Sequence, residues 1–269
     1  MGQGLALALR LAGQAVILLG RSPRPLVAPL SLHQGDRASA VRGASLVLIA
    51  TPDDAISRVS RELERDGSID AHHVVLHLSG LLDRGALSTL ESTGAALGSF
   101  HPLQSIADPA LAPKHFVGSF AGIEGDERAL QAGDGLAAAL RMIPVRLPRE
   151  AKPLYHAGAV AAANYTVVLA NLAERLAGSA GLPVEIASKL YLPLIRGTLA
   201  NLELGTAGAL TGPVRRGDLE TIRAHLAVLD PEDRRLYLAL GLAALRLARE
   251  AGLSPDKAQA VEDLLGSDD

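Results

Sequence analysis

Short β-rich runs alternate with helical patterns along the first part of the chain, and this alternation limits it to few folds. The runs that resemble buried strands are 15–19, 45–50, 73–78 and 95–100, accompanied by helical patterns at 4–11, 53–64 and 84–92. Two further strands are predicted at 116–123 and 143–147, around a helix at 126–141. Such alternation predicts a parallel sheet that is covered by helices.

From Pro153 onward the pattern is helical almost throughout. Helices are predicted at 153–178, 184–203, 217–229, 231–251 and 255–265, separated by glycine and proline signals such as Gly181-Leu182-Pro183. We therefore predict two domains, an α/β domain at 1–149 and an all-α domain at 150–269.

The charge balance and the residue types exclude several classes of function. The chain has 26 Lys and Arg against 29 Asp and Glu, so its net charge of −3 gives no basic surplus for nucleic acid or an anionic membrane. It has no cysteine, which excludes disulfides and thiolate chemistry and fits a cytoplasmic protein. We also predict no metal site, because the adjacent His72 and His73 would point to opposite faces of a strand.

The N-terminus resembles the glycine-rich turn of a Rossmann dinucleotide-binding domain, where strand, turn and helix bring the backbone close to a pyrophosphate. Met1-Gly2-Gln3-Gly4 runs directly into an amphipathic helix, so Gly2 matches the third glycine of that turn. A plain helix start is the alternative. In the Rossmann interpretation the first strand and the first two glycines would precede Met1, so we expect the present chain to bind NADP(H) weakly or not at all.

Arginine and serine follow the next predicted strand. At this position an NAD enzyme carries an acidic residue for the ribose hydroxyl, whereas arginine accommodates the 2′-phosphate of NADP. Arg21 and Ser22 therefore favour NADP, and a solvated loop arginine is the alternative.

Polar residues also follow the later strands, at the carboxyl edge where open α/β sheets bind ligands. Thr51 and Pro52 form a helix cap that would lie along the cofactor, and Ser79 and Gly80 follow the next strand. His101 follows the strand after that and is a candidate for binding substrate. For the neighbouring His77, a buried structural histidine is as good an interpretation as a functional one.

A polar stripe marks the first helix of the helical half. His156 and Asn164 lie on the same broad side of this helix, which otherwise consists mostly of Ala, Val and Leu, and Lys152 lies just ahead of Pro153. Hydrogen bonds to another helix would also explain such amides. Further along, Thr211 and Arg216 lie in a Gly- and Pro-rich loop that resembles either a ligand-binding loop or a simple helix cap.

The chain resembles a known family, the Rossmann-like proteins with a C-terminal domain of unknown function 2520. The resemblance rests on Ala50-Thr-Pro-Asp-Asp-Ala-Ile56, His77-Leu-Ser-Gly80, Ser99-Phe-His-Pro-Leu-Gln104, Tyr155-His156 with Asn164, and Ala209-Leu-Thr-Gly-Pro213 with Arg216-Gly-Asp218. It implies kinship with 6-phosphogluconate dehydrogenase, pyrroline-5-carboxylate reductase and ketopantoate reductase, and with it NADP, hydride transfer and a homodimer. Many of these relatives place a lysine four residues before an asparagine on the first helix after the Rossmann domain, and residues 157–163 contain no lysine.

These observations together predict an NADP-dependent oxidoreductase that reduces a small keto acid or imine acid. His156 is the expected proton donor, with Lys152 as the alternative, and Asn164 would orient the substrate. Arg216 and Thr211 would bind a substrate carboxylate, and ketopantoate is the first substrate to test. The alternatives are a non-catalytic NADP-binding sensor or scaffold and a structural dimer without nucleotide.

Overall fold

The computed structural model describes residues 1–20 and 25–266. They form two compact units, Met1–Asn164 and Tyr165–Asp269 by chain position. The sequence boundary near residue 150 marks the start of the helical sequence, whereas the first unit continues to Asn164 because it includes the first turns of a long helix.

The first unit contains a five-stranded sheet within the described residues. The strands are β1 (Leu46–Ile49), β2 (Val74–His77), β3 (Ala96–Leu103), β4 (Phe120–Gly125) and β5 (Ile143–Arg146), and they lie side by side in that order. The helices of this unit are α1 (Gly2–Leu11), α2 (Arg37–Arg42), α3 (Asp53–Arg65), α4 (Ala112–Phe116), α5 (Glu127–Leu140) and the start of α6 (Lys152–Ser179), together with a 3₁₀ helix at Arg84–Thr93.

The sheet is parallel except at one pair of strands. β1 with β2, β2 with β3 and β4 with β5 are parallel, whereas β3 and β4 are antiparallel. The predicted parallel arrangement is interrupted at this pair, because the chain between β3 and β4 turns back and runs beside β3 in the opposite direction instead of crossing to the other end of the sheet.

One predicted strand does not form. The segment 15–19 makes only an isolated bridge, between Leu18 and Leu32. A strand needs a hydrogen-bonding partner along its length, and among the described residues Leu32 provides one at a single position. The strand predicted at 116–123 likewise starts only at Phe120, because Ala112–Phe116 is helical.

Apolar side chains cover both faces of the sheet. One face packs Phe100, Phe116 and Leu76 with residues of α1 and α5. The other packs Val75, Leu97 and Ile56 with the 3₁₀ helix residues Leu87 and Leu90. Burial of one side chain of this size contributes about 1.5–3 kcal/mol. The two cores therefore hold β1, β2, β3 and β4 in place.

The second unit is helical throughout its described part. After the rest of α6 come α7 (Val184–Leu190), α8 (Leu192–Asn201), α9 (Thr206–Ala209), α10 (Pro213–Arg216), α11 (Leu219–Val228), α12 (Pro231–Glu250) and α13 (Pro255–Gly266). Its core contains Ile222, Leu245, Val261 and Leu265. No helix in the described part of the chain is both long and apolar enough to cross a membrane. The expected order, an α/β part followed by an all-α part, is confirmed.

Candidate functional site

A buried polar row crosses the carboxyl end of the sheet in the first unit. His77 of β2 is paired in register with Ser99 of β3, and Ser99 is paired with Glu124 of β4. Paired residues point to the same face of a sheet, and all three of these side chains are buried. Polar groups are rarely buried without partners, so each of the three requires an explanation.

Lys152 completes the row from the start of α6. This residue is 1% exposed, and its ammonium group donates hydrogen bonds to the Ser79 carbonyl (3.1 Å) and the Ser99 hydroxyl (2.7 Å). The Ser99 hydroxyl in turn donates to Oε2 of Glu124 (3.3 Å). Burial lowers the pKa of Lys152 to about 8 and raises the pKa of Glu124. A lysine of this kind can donate or accept a proton close to neutral pH.

His77 has a structural role in this arrangement. Its Nε2 donates to the Asp83 carbonyl (2.9 Å), and its Nδ1 accepts from the Ser79 amide (3.2 Å). Burial lowers its pKa to about 4, so the ring is neutral and both nitrogens are engaged. The structural interpretation of His77 is the one that this geometry fits.

His101, Tyr155 and His156 surround Gly80. Nδ1 of His101 is hydrogen-bonded to the Tyr155 hydroxyl (3.0 Å), and the His101 and His156 rings meet edge to face with centroids 5.8 Å apart. A methyl group on Gly80 would lie 2.5 Å from Nδ1 of His156 and 2.9 Å from Nε2 of His101. Only glycine at position 80 leaves room for both rings. Burial lowers the pKa of His101 to about 4.

His156 contributes an unsatisfied group to this cluster. Its Nδ1 is buried and has no hydrogen-bond partner among the described residues. An unpaired buried polar atom costs about 1–3 kcal/mol, so a ligand that hydrogen-bonds this nitrogen would bind favourably.

Ser79 holds the loop that carries Gly80. Its hydroxyl donates to Asp53 at the start of α3 (2.7 Å) and accepts from the amides of Leu81 and Leu82. These three hydrogen bonds satisfy the Ser79 hydroxyl within the protein. The predicted contact of Ser79 with a cofactor would therefore have to be made by its backbone.

Gly2 and Thr51 lie together at the carboxyl end of β1. A methyl group on Gly2 would be 2.8 Å from Cβ of Ala50, so α1 can approach β1 this closely only because position 2 is glycine. The Thr51 hydroxyl is buried without a partner in the described chain, and no side chain caps the N-terminus of α1. Pro52 is the N-cap residue of α3. A helix N-terminus beside an unpaired hydroxyl fits a phosphate-bearing dinucleotide.

The remaining predicted site residues belong to other elements of the fold. Asn164 is exposed at the end of the first unit. Thr211 and Arg216 belong to the second unit, where both are exposed and Arg216 pairs with Asp218 at 3.7 Å. Arg21 and Ser22 lie outside the described residues.

The two adjacent histidines do not behave as strand residues. His72 and His73 precede β2 in a turn, with ring centroids 3.8 Å apart, so the expectation that they point to opposite faces is wrong. Both side chains point toward Asp70. One carboxylate oxygen of Asp70 and one ring nitrogen of each histidine all lie within 4.8 Å of one another. Nδ1 of His73 accepts a hydrogen bond from the Asp70 amide, and its Nε2 donates one to the Val41 carbonyl. The turn therefore occupies the lone pair that a metal would need from His73.

Three residues of this site escaped the sequence analysis as functional candidates: Ser99, Glu124 and Tyr155. Glu124 carried a signal, since it is the only acidic residue in the otherwise apolar strand Phe120–Gly125. Its partners could not be read from the sequence because they come from β3 and α6.

Residues 119–244 match the family described as Domain of unknown function (DUF2520). The family that the motifs indicated is thereby confirmed. No curated protein matches the chain in sequence.

Solved structures share the fold of this chain. Protein TM1727 from Thermotoga maritima is 27% identical over 81% of this chain and 80% of its own, with a TM-score of 0.57. For protein BF3122 from Bacteroides fragilis the identity is 22%, the coverage 89% and 93%, and the TM-score 0.65. Pyrroline carboxylate reductase from Plasmodium falciparum, solved with NADP bound, is 14% identical over 99% and 93%, with a TM-score of 0.58. The expected Rossmann-like fold class is confirmed.

Proposed function

We propose that this protein is an NADP-dependent oxidoreductase that reduces the carbonyl or imine group of a small acid. The observation that carries the proposal is the convergence of Lys152, His101 and His156 at the carboxyl ends of β2 and β3. Proton-donating side chains at this edge of an open sheet match the place where such folds bind ligands.

The cofactor proposal is supported by the fit of the residues at the end of β1. Gly2 and the N-terminus of α1 would hold the phosphates, and the unpaired Thr51 hydroxyl would hydrogen-bond the bound dinucleotide. Pro52, Ser79 and Gly80 would line the same edge, and Arg21 with Ser22 would bind the 2′-phosphate. When bound, NADPH supplies the hydride. A structural neighbour with NADP bound is consistent with this choice.

The protein would supply the proton. His156 is the first candidate, because its buried Nδ1 has no partner among the described residues and could hydrogen-bond a ligand, and imidazole is the commonest general acid in enzymes. Lys152 is the second, with a pKa of about 8 and two of its three N–H bonds already directed at Ser79 and Ser99. Neutral His101 would hydrogen-bond the substrate.

We propose that the substrate is a keto acid or an imine acid. Within the first unit, Asn164 would orient the reacting group. Ketopantoate is the first compound to test and a pyrroline carboxylate the second, the latter because of the activity named for one structural neighbour.

Titration with NADPH followed by a substrate screen tests the proposal. Saturable binding should be accompanied by oxidation of NADPH, followed at 340 nm, with at least one keto or imine acid. Binding without turnover on any of them would favour the non-catalytic sensor.

The helical unit supports a further part of the proposal, a homodimer. Large apolar side chains are exposed on α6, α7 and α8, among them Val167, Val184 (76%) and Leu194 (66%). Exposed apolar side chains that form a large patch mark an interaction site, and we propose a second copy of this chain as the occupant. We also propose a cytoplasmic location, because the chain has no cysteine and would gain nothing from an oxidising compartment.

A further inference from the structure

Lys152 and Glu124 are buried groups of opposite charge that are joined by a single hydroxyl. Lys152 donates to the Ser99 hydroxyl at 2.7 Å, and Ser99 donates to Glu124 at 3.3 Å. Both hydrogen bonds run in the same direction, from the Lys152 ammonium group through the Ser99 hydroxyl to the Glu124 carboxylate. Glu124 is 5% exposed, and its Oε2 accepts a second hydrogen bond from the Arg84 amide (2.9 Å), which helps to fix the carboxylate in place.

Burial opposes the positive charge of Lys152 and lowers its pKa to about 8. Lys152 is the first residue of α6, where the helix dipole disfavours a cation. His77 and His101 are neutral at pH 7, and the remaining neighbour, His156, offers no negative charge.

Three carboxylates favour the charged form of Lys152, and Glu124 has the largest influence, followed by Asp83 and Asp53. The other two are committed elsewhere. Asp83 forms an ion pair with Arg149 at 2.6 Å, and Asp53 accepts the Ser79 hydroxyl from an exposed position.

We propose that Glu124 is a positioning residue which, through the Ser99 hydroxyl, keeps the Lys152 ammonium group charged and directed at the carboxyl ends of β2 and β3. The catalytic consequence rests on the proposed function, in which Lys152 faces the substrate edge. The effect on Lys152 itself does not depend on that function.

The direct test is the pKa of Lys152, measured by NMR on protein with ¹³C-labelled lysine side chains. The chain has four lysines (Lys114, Lys152, Lys189 and Lys257), and Lys152→Arg assigns the signal. In Glu124→Gln the pKa of Lys152 should fall by about one unit or more, because an opposite charge is lost. Glu127→Gln is the matched control: the same change on an exposed side chain three residues away should leave the Lys152 pKa unchanged. An unchanged pKa in Glu124→Gln would overturn the proposal.

Ser99 provides a second test that puts less strain on the fold. Ser99→Ala removes the linking hydroxyl with almost no change in volume and should also lower the pKa of Lys152, whereas Ser99→Thr should restore it. Equal pKa values in Ser99→Ala and the wild type would contradict a role for the hydroxyl, even if Glu124→Gln did not fold.

The activity measurement separates this inference from the proposed function. If Lys152 is the proton donor of the active enzyme, the alkaline limb of the kcat profile should move to lower pH in Glu124→Gln together with the Lys152 pKa, while KM at low pH stays the same. If the wild type has no reductase activity, the proposed function fails but the NMR titration still decides the role of Glu124.

Discussion

Nδ1 of His156 lies 2.5 Å from the point where a side chain on Gly80 would begin. Gly80 is buried, and the His101 ring approaches the same point at 2.8 Å. The two imidazole rings can therefore occupy these positions only because residue 80 has no side chain.

Gly80→Ala should displace both histidines and strongly reduce reductase activity. Its methyl group would overlap with His156 and His101, so the rings would have to leave their present edge-to-face contact. Gly158→Ala is the control, since Gly158 lies on exposed α6 with open space around it. Histidine ring signals in NMR spectra and turnover numbers report the two effects; unchanged ring signals in Gly80→Ala would contradict this geometry.

His156→Gln should lower kcat by about 10²-fold or more if His156 is the proton donor. His115→Gln, a change at an exposed histidine outside the cluster, should leave kcat unchanged. Near-normal turnover in His156→Gln would remove this role from His156 and leave Lys152 as the donor. Both variants are compared under NADPH saturation, so that a change in cofactor binding does not affect the result.

Thr51→Val should weaken NADPH binding without weakening the fold. The Thr51 hydroxyl has no partner among the described residues, so its removal costs the free protein no hydrogen bond. A lost hydrogen bond to the cofactor corresponds to about a 2- to 10-fold rise in Kd. Ser68→Ala, which removes the other unpaired buried hydroxyl of the described chain, should leave Kd unchanged. Calorimetric titration measures both, and an unchanged Kd in Thr51→Val would exclude contact with the cofactor.

Stability should fall as pH decreases from 6.5 to 4. Burial lowers the pKa of His77 and His101 from 6.5 to about 4, so in this range the unfolded chain binds more protons than the folded protein. The sign follows directly: protonation favours unfolding, and each histidine contributes up to about 3 kcal/mol across the full range. Urea unfolding at both pH values measures the slope, which His101→Gln should reduce. A flat profile in the wild type would show that these rings are not buried.

Leu194→Glu should convert a dimer into a monomer. Leu194 is 66% exposed on α8, so a charged side chain costs the isolated unit little but would be buried in an interface. Arg196→Glu, also a change to glutamate on α8, serves as a comparison for the effect of charge. Sedimentation gives the mass, and a wild-type monomer at all concentrations would contradict the proposed homodimer.

The regular elements were predictable where local pattern and packing agree. The strands at β1, β2 and β3 and the helices α3, α5 and α12 occur close to the predicted positions, because apolar periodicity and capping residues act over a few neighbouring positions. The segment 15–19 has an equally apolar pattern but no strand forms there, because pairing requires a partner elsewhere in the chain. The direction of β4 escaped prediction for the same reason.

The same distinction between local pattern and tertiary contacts applies to the residues of the candidate site. The sequence alone determined which residues end the strands: Thr51, Ser79, Gly80 and His101 follow apolar runs, and His156 lies on the helical stripe. Only the tertiary structure decided how they act. It left Thr51 and His156 with unpaired buried atoms, engaged His77 in the loop, and buried Lys152 against Ser99 and Glu124. Burial and hydrogen-bond partners come from residues far apart in the chain, and these determine the pKa and the role of a titratable group.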